Sequence, residues 1–184
     1  MTSSPSPACT AFRGHQVIAR GTPERLVREL HKAREGILVF DDTTGRVVDL
    51  DWRLAQIAEE PGETPPPPRR RGRPRLGVTA REVTLLPRHW DWLALQPGGA
   101  SQALRRLVEE ARRADGGRTA RRQAQERCYR VLSALGGDLP GFEEASRQLF
   151  AQDMAAFAQS LAAWPPDLRD YILGLSRPDS EPSA

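Results

Sequence analysis

The stretch ILVFDDTTGRVVDLDW, Ile37–Trp52, holds two apolar runs on either side of a polar, glycine-containing centre. It reads as strand, turn, strand: Ile37–Phe40, a turn over Asp41–Gly45, then Val47–Leu50. Just before it, TPERLVRELHKARE opens with Thr22 as a helix N-cap and Pro23 at the first helical position. Leu26, Val27, Leu30 and Ala33 then recur at helical spacing, and Gly36 ends the helix. Further toward the N-terminus, CTAFRG and HQVIARG read as a hairpin. The order strand-strand-helix-strand-strand defines a small α+β unit over residues 9–60, to which RLAQIAEE adds a short helix. A unit of this size buries little surface and needs help from the remainder of the chain.

Downstream the character changes. Residues 61–77, PGETPPPPRRRGRPRLG, favour an extended polyproline II spacer. Residues 78–175 read as one strand followed by a mostly helical region. The strand is TAREVTLLP, with Val83 and Leu85 on one side and Glu82, Thr84 and Leu86 on the other. RHWDWLALQ gives a short helix stopped by PGG. ASQALRRLVEEARRA follows with an apolar stripe of Ala103, Leu104, Leu107, Val108 and Ala111. RTARRQAQERCYRVLSAL places Ala120, Ala124, Cys128, Val131 and Leu135 on one face. GFEEASRQLFAQDMAAFAQSLAAW reads as one helix with Phe142, Ala145, Leu149, Met154, Phe157 and Leu161 inward. PPDLRDYILGL closes with Leu168, Tyr171, Ile172 and Leu175 inward. Residues 1–8 and 176–184 read as polar tails.

The net charge of +3 hides a strong asymmetry. Residues 1–64 sum to −2, residues 65–134 to +10 and residues 135–184 to −5. A basic middle between acidic ends suggests a polyanionic partner; the alternative is that the acidic ends fold over it. Lys32 is the only lysine among the 27 basic residues, and high-GC coding alone would produce such an arginine bias. No apolar run approaches the ~18 residues of a membrane span, and MTSSPSPACTAF lacks the pattern of a signal peptide. A cytoplasmic protein is therefore expected. Cys9 and Cys128 share no metal or redox spacing and read as structural thiols. His15, His31 and His89 are scattered, and no nucleophile elbow or phosphate loop occurs. The two glycines of QPGGAS precede a helix, where an anion could sit, but a helix stop followed by a helix start accounts for them. No enzyme, cofactor or metal is expected.

The arginine stretch makes the sharpest chemical claim. Arg69, Arg70, Arg71, Gly72, Arg73, Pro74 and Arg75 contain Arg-Gly-Arg-Pro, which resembles an AT-hook. That resemblance implies binding in the minor groove of A·T-rich duplex DNA. The groove is only ~6 Å wide, so it admits an extended chain without central bulk. Gly72 supplies the missing bulk and Pro74 holds the chain extended. Arg71 and Arg73 would reach along a narrow, strongly negative groove, with Arg69, Arg70 and Arg75 on phosphates. The competing reading is a solvated, charged linker, or one that docks an acidic partner protein. Arg105, Arg106, Arg112 and Arg113 lie off the apolar stripe of their helix and are expected to add phosphate contacts.

REVTLLPRHWDWLALQPGGASQALRRLVEEARR, Arg81–Arg113, resembles a ribbon-helix-helix module. The resemblance implies a homodimer whose paired strands enter the major groove. It would turn Glu82, Thr84 and Leu86 toward DNA, and none of these is basic. The competing reading, slightly favoured, puts the strand and helices in the core with Trp90 as a buried anchor. Over most of residues 8–175 the chain is also similar to an uncharacterised bacterial family, domain of unknown function 2239. The similarity rests on GRPRLGVTAREVTLLPRHWDWLALQPGGASQALRRLVEEARR, GDLPGFEEASRQLFAQD and WPPDLRDYI, and it implies no activity.

Overall fold

The computed structural model describes residues 8–53 and 81–178. It divides into two units. The described residues of the first are 8–53 and 117–178, and those of the second are 81–116. The chain is α+β, as its periodicity indicates.

The first unit opens with β1 (Cys9–Arg13) and β2 (Gln16–Gly21), followed by helix α1 (Pro23–Leu30), a short 3-10 turn (His31–Ala33) and β3 (Ile37–Asp41). The strands form one antiparallel sheet in the order β2-β1-β3, so β1 lies in the centre. Cys9, Thr10, Ala11 and Phe12 of β1 are all buried because both faces of this strand are covered. Cys9 and Ala11 pack with Leu26, Val27 and Leu30 of α1 and with Val39 and Leu50. Phe12, on the opposite face, joins Phe40 in a larger core built from the C-terminal helices. The two faces follow directly from the two-residue period of a strand. A β-bulge shifts the β1–β2 register between Ala11 and Phe12. The Thr22 hydroxyl caps α1 by accepting from the Arg25 amide, as expected of Thr followed by Pro.

The fourth strand expected at Val47–Leu50 is reduced to a single bridge, Phe40 to Val47, in which the Asp41 amide donates to the Arg46 carbonyl and the Val48 amide to the Val39 carbonyl. The Asp41 carboxylate accepts from the Thr43 and Thr44 amides and tightens the turn. Leu50 is then drawn into the core beside α1 instead of continuing along the sheet edge. RLAQIAEE, from Arg53 onward, lies outside the described residues apart from Arg53 itself.

Four helices complete this unit: α4 (Arg118–Gly136), α5 (Phe142–Ala151), α6 (Met154–Ser160) and α7 (Pro166–Leu175). The single helix expected across Phe142–Trp164 is broken at Gln152, which takes φ 61°, after which Asp153 caps α6 through the Ala156 amide. The break leaves Met154 41% exposed rather than inward. Leu149, Phe157, Leu161, Leu168, Tyr171, Ile172 and Leu175 are buried as their spacing predicts. Tyr171 packs 5.1 Å from Phe12 between ring centres and donates its hydroxyl to the Asp42 carboxylate at 2.7 Å. Burial, followed by the hydrogen bond to Asp42 and then its charge, raises the tyrosine pKa well above its ordinary value. The His15 ring meets the Leu135 carbonyl, and the Val17 amide donates to Asp167. Sheet and helices are therefore tied by polar contacts as well as by a shared core.

Both cysteines are buried thiols, not joined in a disulfide. Burial pushes the Cys128 thiol up to about 12; burial and then the Asp41, Asp42 and Glu24 charges push Cys9 to about 11. The reactive thiolate is thus disfavoured at both sites. Native protein at pH 8 is expected to give no rapid reaction with a thiol-reactive disulfide, and two equivalents after unfolding in denaturant. A fast native equivalent would show that one site opens.

The second unit contains α2 (Pro87–Ala94) and α3 (Gly99–Asp115), which pack against each other. The turn between them uses Gly98 and Gly99 at φ 81° and 75°, a left-handed pair that glycine adopts without penalty. Arg81–Leu86, expected as a strand, forms none; it has no ladder partner among the described residues, and a lone strand has nothing to hydrogen-bond with. Leu93 and Ala103 are buried between the helices. Trp90, expected as a buried anchor, is 43% exposed, and Leu107 and Val108 of the predicted stripe are also exposed. Two helices alone cover only the strip where they touch.

Candidate nucleic-acid interface

The arginine stretch Arg69–Arg75, with Gly72 and Pro74, lies outside the described residues. The other candidates, Arg105, Arg106, Arg112 and Arg113, are all exposed on α3. At 3.6 residues per turn, Arg105 and Arg112 fall about 20° apart around the helix, as do Arg106 and Arg113. The four span roughly a third of the circumference, on the side away from Ala103 and Leu107.

Carboxylates temper this face. Arg112 lies 3.5 Å from Glu109 and Arg106 3.8 Å from Glu110, both at helical spacing and with side chains more than half exposed. Such pairs are worth a few tenths of a kcal/mol and exchange readily for another anion. Arg105 reaches back to the Ser101 carbonyl, and Arg106 also reaches Gln96 at 3.4 Å. Arg112 and Arg113 occupy the last turn of α3, where cations suit the negative helix terminus.

The arginines of α4 differ in kind. Arg127, which adjoins the apolar face of α4, is buried. Its Nε donates to the Leu175 carbonyl at 2.8 Å and its Nη2 to the Arg177 carbonyl at 2.6 Å. It satisfies carbonyls at the end of α7 that have no helical partner, so it is a structural cation. The signal was available: position 127 lies three residues after Ala124 and four before Val131, within the buried stripe. Arg130 bridges Glu126 and the Thr44 carbonyl, tying α4 to the turn after β3. Arg122 pairs loosely with the same Glu126 at 3.9 Å.

Taken together, the elements define a mixed α+β protein that carries an arginine-faced helical hairpin as a separate unit. The chain belongs to the family described as uncharacterised protein conserved in bacteria, domain of unknown function 2239, whose family model matches residues 8–176. No curated protein and no solved structure matched the chain. Among the described residues no helix is long and apolar enough to cross a membrane.

Proposed function

We propose that the protein is a cytoplasmic DNA-binding protein, a regulator or nucleoid-associated factor, that holds duplex DNA through Arg69–Arg75 and the arginine face of α3. The observation that carries the reading is that face: four exposed arginines on one side of a helix, opposite its apolar stripe. Segment charge supports it, since residues 65–134 carry +10 between acidic ends. In this reading Arg71, Gly72, Arg73 and Pro74 lie in the minor groove of A·T-rich sequence, and the α3 arginines meet phosphates without reading bases.

A second reading rests on a different observation. Trp90 and Trp92 are nearly half exposed and Leu95 is 83% exposed, so α2 shows apolar surface on sides that α3 does not cover. A helix apolar around most of its girth usually has a partner. A protein-interaction module would use this surface, with the arginines as a linker or a dock for an acidic partner. A homodimer in which a second copy covers these side chains is compatible with both readings.

The deciding experiment is a competition titration on matched A·T-rich and G·C-rich duplexes at two salt concentrations. Neutralising about five phosphates gives a log–log salt slope of roughly −4 to −5. Gly72→Ala, and an exchange of Arg73 with Pro74, are each expected to remove the A·T preference and leave weak, salt-sensitive binding. The exchange keeps composition and charge constant, so it separates groove geometry from charge. Absent or salt-independent binding would exclude the DNA reading. Equal behaviour of wild type and the exchange variant would reduce the stretch to a charged linker.

A further inference from the structure

In the first unit, Arg13, His31, Lys32, Arg34 and Glu35 line an open cleft of about 650 Å³ between the β1–β2 hairpin and the connection from α1 to β3. The lining is polar, and three of these side chains, Arg13, Lys32 and Arg34, carry positive charge against the one carboxylate of Glu35.

Several arginines elsewhere in the described structure sit beside carboxylates, as in Arg25–Glu29, Arg147–Glu144 and Arg169–Asp170. Around this cleft none of the three cations forms an ion pair among the described residues. Arg13 is instead held by donating its Nη2 to the Ala33 carbonyl at 2.6 Å, which pins the hairpin end to the 3-10 turn. A carbonyl accepts only one of the guanidinium's five N–H groups and leaves the charge unneutralised. The His31 Nδ1 donates to the Arg28 carbonyl at 2.9 Å, which orients the ring beside the three cations. The single lysine of an arginine-dominated chain also lies here. Like charges converging on a concavity raise the local concentration of anions.

We propose that this cleft is an anion site that takes a phosphoryl group, with Arg13 as the positioned clamp and Lys32 and Arg34 closing on the remaining oxygens. The site lies on a different unit from the α3 arginine face, and it stands whether or not that face binds DNA. The phosphoryl group could belong to a small phosphorylated ligand or to a nucleic-acid backbone.

The test is calorimetric titration of the full-length chain with inorganic pyrophosphate, alongside duplex binding at the same salt. Lys32→Gln with Arg34→Gln is the informative variant, because both side chains are exposed and Arg13, which braces the turn, is left intact. Arg147→Gln, an exposed arginine on α5, controls for net charge. Circular dichroism checks that all variants stay folded. Pyrophosphate affinity is expected to fall at least tenfold in the double variant and to be unchanged in Arg147→Gln. If duplex affinity also falls, the phosphoryl group is that of a nucleic acid; if it does not, the ligand is a small phosphorylated molecule. No pyrophosphate binding by wild type, or an equal loss per charge removed in Arg147→Gln, overturns the proposal.

Discussion

Replacing Arg105, Arg106, Arg112 and Arg113 together by glutamine is expected to weaken duplex binding by roughly 10³- to 10⁴-fold at 0.1 M salt. Each phosphate contact contributes about 0.9 to the log–log salt slope, or about one decade in affinity at that concentration. Four lost contacts should also make the slope shallower by about 3.5. The loss should be equal on A·T-rich and G·C-rich duplexes, because phosphate contacts carry no sequence information. Glutamine is chosen over glutamate because it keeps helix propensity and adds no repulsion against Glu109 and Glu110. Their partners in the folded chain include exposed carboxylates, a backbone carbonyl and Gln96, contacts of small individual worth. Unchanged affinity in a folded variant would remove α3 from the interface and favour the interaction-module reading.

Gly45→Ala is expected to destabilise the first unit by about 3 kcal/mol. Gly45 sits at φ 65°, where a side chain costs roughly 1–2 kcal/mol. A Cβ there would also lie 2.2 Å from the Arg127 carbonyl oxygen and 2.8 Å from its carbon. Because that obstacle is the backbone of α4, no rotamer change relieves it, and overpacking adds roughly 1–3 kcal/mol. For a chain of this length the melting temperature should drop by roughly 10 °C. Gly14→Ala is the control: Gly14 has φ 57° but nothing within 4 Å of the added carbon. It should cost only the backbone share, about 1 kcal/mol. Equal losses in thermal and urea unfolding would mean that the turn moves away from α4 freely.

Several elements were legible because their signals are local. Thr22-Pro23 announces the start of α1, and the two-residue and 3.6-residue periods locate β1, β2, β3 and the buried faces of α4 and α7. The break at Gln152 was missed because the apolar spacing resumes in phase at Phe157 after one left-handed residue. Of the candidate site, the position of the α3 arginines opposite an apolar stripe could be read from spacing. The spacing of Arg127 shows that it faces inward, but not what it bonds, since its partners are carbonyls about fifty residues away.

The sequence by itself determined the α+β class, most helix and strand positions, and the basic middle of the chain. Each follows from propensity, periodicity or charge within a short window. Only the tertiary structure decided that Phe12 and Phe40 of the sheet share a core with residues 128–175, while residues 81–116 stand as a separate unit. It also decided that Val47–Leu50 leaves the sheet, that Trp90 is exposed, and that Arg13, Lys32 and Arg34 converge on one cleft. The reason is physical. Local pattern says that a face must be buried or that a charge must be accommodated, but which distant surface meets it depends on how the elements pack.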